Sequence, residues 1–267
     1  MNKTDFLDIK LIRPVIPPSS YEYEGVSETF DLLEGYIDQL ESYIYTDINY
    51  QYDPSDERLI PARIQEILSS TLLRSIYLRN GLIEAINTQN ILSVFAILKS
   101  FMEIPALLAH LYSLMERDLK PDDYLKCLQQ ISLGNKISKK DSGKLRIGHI
   151  DSVNILTMFE TLDRYIAENE TESLESRTPM TDLYGVICNA SHPNYDAHSA
   201  VRRLGAGDMK WSGLSLAEFK NQIAIDVFWY KPALKLSLIT IPFFAKMITD
   251  HCSIDGFKLL KSPRFFS

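Results

Sequence analysis

The chain of 267 residues has a formal charge of −7, with 45% apolar and 24% charged side chains, 11 glycines and 12 prolines. That balance excludes a low-complexity or disordered polymer and gives no sign of a turn-rich β architecture. The opening Met1-Asn-Lys-Thr-Asp-Phe-Leu-Asp lacks the apolar centre of a signal peptide. The three widely spaced cysteines, Cys127, Cys188 and Cys252, form neither a disulfide framework nor a paired metal-ligand spacing, so a cytoplasmic setting is expected.

Residues 1–60 hold 13 acidic and 4 basic side chains, which leaves the remainder close to neutral. The first 20 residues end in Pro17-Pro18-Ser19-Ser20 and read as an irregular arm. A helix is expected from about Ser27, with Glu28 and Asp31 at its positive end and Phe30, Leu33, Ile37, Leu40 and Ile44 on its apolar face. After a linker at 50–54, the spacing predicts a long helix over 61–86. Its inward stripe is Ile64, Ile67, Leu68, Thr71, Leu72, Ser75, Leu78 and Leu82.

Thr88 or Asn90 is placed to cap the next helix, which runs to about Arg117 and contains Pro105. The proline has no N–H for the carbonyl of Phe101, so a kink is expected within a turn of Glu103. Pro121 opens a shorter helix to about Leu133. A cationic loop follows, with Lys136, Lys139, Lys140, Lys144 and Arg146 against Asp141 alone.

Asp151 or Ser152 is expected to begin a helix through Ile155, Met158, Phe159, Leu162 and Ile166, and 168–177 reads as a loop. Thr178-Pro179 signals another helix start, and Pro193 should end that helix near Ser191, leaving His192 at its terminus. Residues 193–213 read as a long loop. Ser215, with Glu218 three residues on, caps a final helix to about Asp250, bent at Pro232 and Pro242. The most apolar run, 236–248, contains Lys246 and is shorter than the roughly 20 residues that cross a bilayer, so it is expected as a core helix with no membrane involved. No repeat and no strand-like alternation stands out. The expected fold is all-α, a single bundle of about seven helices with an irregular N-terminal arm, organised as 1–57 acidic arm and helix, 58–255 bundle core and 256–267 tail.

Polar groups inside apolar helices need partners, and two segments present this problem. Lys99, Glu103 and His110 fall within about 40° of one another on their helix. One expectation is a buried Lys99–Glu103 pair with His110 bonded to a loop carbonyl; the other is a polar pocket in the bundle centre. The second segment puts Tyr184, Cys188 and Ser191 on one helical face, followed by His192, Asn194, Asp196 and His198. No His-Glu-x-x-His or Glu-x-x-His spacing supports a metal, no glycine-rich loop supports a nucleotide cofactor, and none is expected. Arg202-Arg203 and Lys210-Trp211 offer phosphate contact and stacking.

A helix with a basic residue, a serine and then Glu103, followed later by the Tyr184-x-x-x-Cys188-x-x-x-His192 helix end, resembles uncharacterised bacterial all-helical families of the HEPN-like, nucleotide-binding kind. The resemblance covers roughly residues 60–250. It implies a helical bundle with a binding or regulatory role, and a site at Glu103 and His192 with Lys99, His110, Tyr184, Asn194 and Arg202 around it. Members that cut RNA carry an arginine four to six residues before a histidine on one helix. Here Arg146 precedes His149 by three positions, and no arginine stands at that distance before any of the five histidines. The alternative functions are a metal-independent ribonuclease or phosphodiesterase using His192 and Arg202, or a dimerising scaffold. The cationic loop at Lys136–Arg146 is the expected contact for nucleic acid or nucleotide, and a homodimer is the other expected partner.

Overall fold

The computed structural model describes residues 26–47, 58–87, 90–133, 153–169, 179–191, 202–204, 211–213, 216–252 and 258–259. Among them the chain forms an all-α bundle of seven helices. These are α1 (Val26–Leu40), α2 (Leu59–Asn87), α3 (Ile91–Met115), α4 (Pro121–Leu133), α5 (Ile155–Asn169), α6 (Met180–Ser191) and α7 (Leu216–His251). A single 3-10 turn, Glu41–Tyr43, extends α1, so the helix expected to reach Ile44 stops four residues earlier.

The central element is α3, which packs against α2, α4, α5, α6 and α7. Its sequence is apolar nearly all round, and its burial follows the same pattern: Phe101, Met102, Ile104, Ala106, Leu108, Ala109 and Leu111 are all fully buried. Removing side chains of this kind from water contributes about 1.5–3 kcal/mol for each large one. Asn90 caps α3 by accepting a hydrogen bond from the Ser93 amide at 3.2 Å. The helix runs on through the buried Pro105, so the proline expected to bend it sits in the core rather than at a break in the element.

The outer helices bury one face each. From α1, Leu33, Tyr36, Ile37 and Leu40 enter the same core as the inward stripe of α2. The Tyr36 hydroxyl donates to Ser75 at 2.9 Å, and the Arg79 guanidinium donates to the Leu33 carbonyl at 2.7 Å. The last helix, α7, buries Leu238, Ile241, Phe244 and Ile248 but leaves Ile239 and Phe243 exposed, so it is a core helix on one side only. Two stretches, Leu92–Met115 and Pro232–His251, are long and apolar enough to cross a membrane by length and composition, with half of each buried in the bundle. Over these longer stretches the first has the higher mean hydropathy, 1.7 against 1.3, so α3 stands beside the helix that carries the 236–248 run as a second strongly apolar helix.

Two short antiparallel ribbons join the bundle: Tyr45–Asp47 with Lys258–Leu259, and Arg202–Leu204 with Trp211–Gly213. Segments of two or three residues show no alternation in a sequence, which is why neither ribbon was expected.

The helix α5 begins at Ile155, later than Asp151 or Ser152, and the Asn154 side chain accepts from the Leu156 amide at 3.1 Å to start it. One residue of α5 then decides where α6 begins. The Asp163 carboxylate accepts from the Met180 amide at 2.7 Å, from the Thr181 amide at 3.0 Å and from the Thr181 hydroxyl at 2.6 Å. A carboxylate at the positive end of a helix satisfies amides that have no intrahelical acceptor and interacts favourably with the helix dipole. Replacing Asp163 by Ala is expected to lower the unfolding free energy by about 1–2 kcal/mol in urea titration, with Asp163→Asn losing less. An Asp163→Ala protein as stable as the parent would overturn this role.

Candidate functional site

Two residues of α5 one turn apart hold Tyr184. Asp163 fixes the first turn of α6, and the Phe159 ring lies against the Tyr184 ring with centroids 4.3 Å apart and planes tilted by 32°. Thus placed, the buried Tyr184 hydroxyl donates to Glu103 Oε1 on α3 at 2.8 Å. Burial pushes the Tyr184 hydroxyl well above its ordinary pKa, and the Glu103 carboxylate and the nearby Cys188 add to the shift. The group therefore stays protonated and remains a donor throughout the neutral range.

The second oxygen of Glu103 faces α2. Arg74 Nη2 stands 3.7 Å from Glu103 Oε2, with the Arg74 side chain 51% exposed and the Glu103 side chain 25% exposed. That separation is an ion pair beyond hydrogen-bond length, and half-exposed pairs of this kind contribute little stability. Among the described residues the Arg74 guanidinium makes this one contact and no hydrogen bond, so its donors are unspent.

Beside Arg74, the α2 residues Ser70, Leu73, Tyr77, Leu78 and Gly81 and the α3 residue Ile97 line an open groove of about 510 Å³. Leu73, Leu78 and Ile97 pack down onto the core, while Tyr77 is 48% exposed. Gly81 adds no side chain to the groove: a Cβ there would lie 3.5 Å from Ile97 Cδ1, at van der Waals contact. The site thus joins an apolar groove, a cation at its edge and a carboxylate anchored from the opposite helix. Such a combination suits binding, since one charged group orients a ligand whose body is apolar.

Of the residues expected from the sequence, Glu103 and Tyr184 meet, with Cys188 beside them. Lys99 lies one turn from Glu103 and is partly buried, but the carboxylate engages Arg74 and Tyr184 instead of Lys99. The long-range partners displace the local pair because α2 and α6 both press on this face of α3. His110 is buried two turns further on, about 10 Å along the axis, and among the described residues its Nδ1 has no hydrogen-bond partner. His192 and Asn194 lie outside the described residues, as do Lys136, Lys139, Lys140, Lys144 and Arg146. Arg202 is in the short ribbon, paired through its backbone with Gly213. Among the described residues no group of three or more His, Cys, Asp and Glu gathers to hold a metal. Sequence reasoning missed Arg74, Tyr77 and Gly81. A glycine inside a strongly helical pattern was the available signal, since it lowers helix propensity and calls for a packing or functional reason.

The Tyr184–Glu103 hydrogen bond should appear as a coupling energy of about 1 kcal/mol in a double-mutant cycle of Tyr184→Phe and Glu103→Gln, less than for a fully buried charged acceptor because Glu103 is partly wet. Additive single-mutant effects would mean the bond contributes nothing. His110 sets an acid-side limit. Burial lowers its pKa from 6.5, with Arg117 adding to the shift, so below about pH 6.5 the unfolded chain binds a proton that the folded chain resists. Stability should therefore fall from about pH 7 to about pH 5, and His110→Gln should reduce that fall in urea titrations at the two pH values. Equal losses in parent and variant would contradict it.

Set against models of known protein families, curated proteins and solved structures, the chain matches none of them.

Proposed function

We propose that this chain is a cytoplasmic binding or regulatory module of the HEPN-like kind, and that its ligand occupies the α2–α3 groove beside the Arg74–Glu103–Tyr184 cluster. The observation that carries this reading is the half-exposed Arg74 guanidinium, which makes no hydrogen bond among the described residues, at the edge of an apolar groove with a glycine in its lining. The seven-helix bundle is compatible with the HEPN-like resemblance, which on its own speaks to fold and not to chemistry. Free Cys127, Cys188 and Cys252 suit a reducing compartment. The central position of α3 favours a core helix over a membrane span, because five helices pack on it and its glutamate is met by tyrosine and arginine.

Protein-detected NMR with a fragment library tests the placement of the site. Shifted amides should concentrate at 70–81 of α2 and around Ile97 of α3, and Arg74→Gln should weaken the responding fragments. Shifts gathered on another face, with Arg74→Gln without effect, would overturn the reading. RNA cleavage by the purified chain that is lost in His192→Ala would replace it with the nuclease alternative.

A further inference from the structure

We infer that the α2–α3 groove takes a small amphiphilic monocarboxylate, its apolar body along Leu73, Leu78 and Ile97 over Gly81 and its carboxylate on the Arg74 guanidinium. This rests on the groove being the binding site and adds the chemical class of the ligand. The groove is lined almost wholly by carbon, and its volume of about 510 Å³ falls in the range of roughly 300–1,000 Å³ that holds drug-sized molecules. A purely polar ligand would leave that lining uncovered; an apolar one covers it, including the half-exposed ring of Tyr77.

The head group follows from charge. Among the described residues Arg74 is the one charged residue lining the groove, and its planar fork of donors matches a carboxylate in bidentate geometry. An ammonium head would meet like charge there, and a hydroxyl head would draw on fewer of the donors. Glu103 limits how much negative charge is welcome. Its Oε2 is 3.7 Å from the same guanidinium and its Oε1 is held by Tyr184, so it stays in place as a ligand arrives. A doubly charged phosphate would be repelled by it more than a singly charged carboxylate. Glu103 is then a positioning residue, holding the guanidinium at the groove edge from the far side.

Gly81 supplies the geometric lever. Because a Cβ at Gly81 would only touch Ile97 Cδ1, Gly81→Ala folds and gains helix propensity while it narrows the floor, and Gly81→Leu fills it. The test measures binding of decanoate, decanol and decylamine, each below its aggregation concentration, to the full chain by NMR titration. Decanoate is expected to bind with shifts at 70–81 and Ile97. Arg74→Gln should weaken it at least about tenfold, the loss of a charge-assisted contact. Gly81→Ala should weaken it several-fold while raising thermal stability, and Gly81→Leu should abolish it. Decanol or decylamine binding as tightly, and blocked by the Gly81 variants, would overturn the carboxylate class and leave the groove as the site. Binding of every probe unaffected by both Gly81 variants would overturn the site and the class together. Decanoate binding that Arg74→Gln leaves unchanged overturns the head-group assignment.

Discussion

The packing of five helices on α3 constrains the rest of the molecule. On its covered faces polar side chains meet little water, so each must find a partner on another element, bond to its own backbone or remain unsatisfied. All three outcomes occur along its length. Glu103 reaches across to Tyr184 and Arg74. Ser113 turns back to donate to the His110 carbonyl at 2.8 Å. The His110 Nδ1 is left without a partner, at a cost of about 1–3 kcal/mol that the apolar burial around it outweighs. The cross-helix solution at Glu103 is also where three helices converge, and the groove opens beside it.

Two of the three arginines of α2 show how the same side chain serves different ends. Arg79, nearly wholly buried, spends its donors on the Leu33 carbonyl at 2.7 Å and the Asn80 side chain at 2.9 Å, and ties α1 to α2. Burial lowers its pKa, and the Glu34 carboxylate works the other way. Arg74 lies five residues earlier, about 140° round the helix, half in water with donors to spare. A fixed hydrogen-bond geometry makes the first a structural tie. The second is set up for exchange, because among the described residues no hydrogen bond ties up its donors.

Much of the fold was legible in the sequence because helix signals are local. The α4 bounds at Pro121 and Leu133, the Asn90 cap and the span of α2 follow from proline, capping residues and apolar spacing. The start of α6 was legible only in part. Its first amides are satisfied by Asp163, seventeen residues upstream and on a different helix, and no local pattern announces such a cap. The site was half legible for the same reason. Glu103 and Tyr184 stood out as polar groups in apolar surroundings, and they meet. Arg74 did not stand out, since an arginine on the outer side of a long helix looks like ordinary surface. That Glu103 chooses it and Tyr184 over Lys99, one turn away, depends on which helices are neighbours in space, and periodicity carries no information about that.

The cap on α6 has a consequence for folding cooperativity. Twelve residues are too few for a helix to hold its shape alone in water, and the acceptor that completes its first turn belongs to α5. Helicity in this segment and its docking on α5 therefore rise together, with little population of one without the other. Because the Glu103 donor rides on that segment, any excursion that undocks α6 also strips the carboxylate of its hydrogen bond. The amides of α6 and the exposure of the Tyr184 ring then report on a single opening event, which makes the polar cluster an internal gauge of whether α6 is in place.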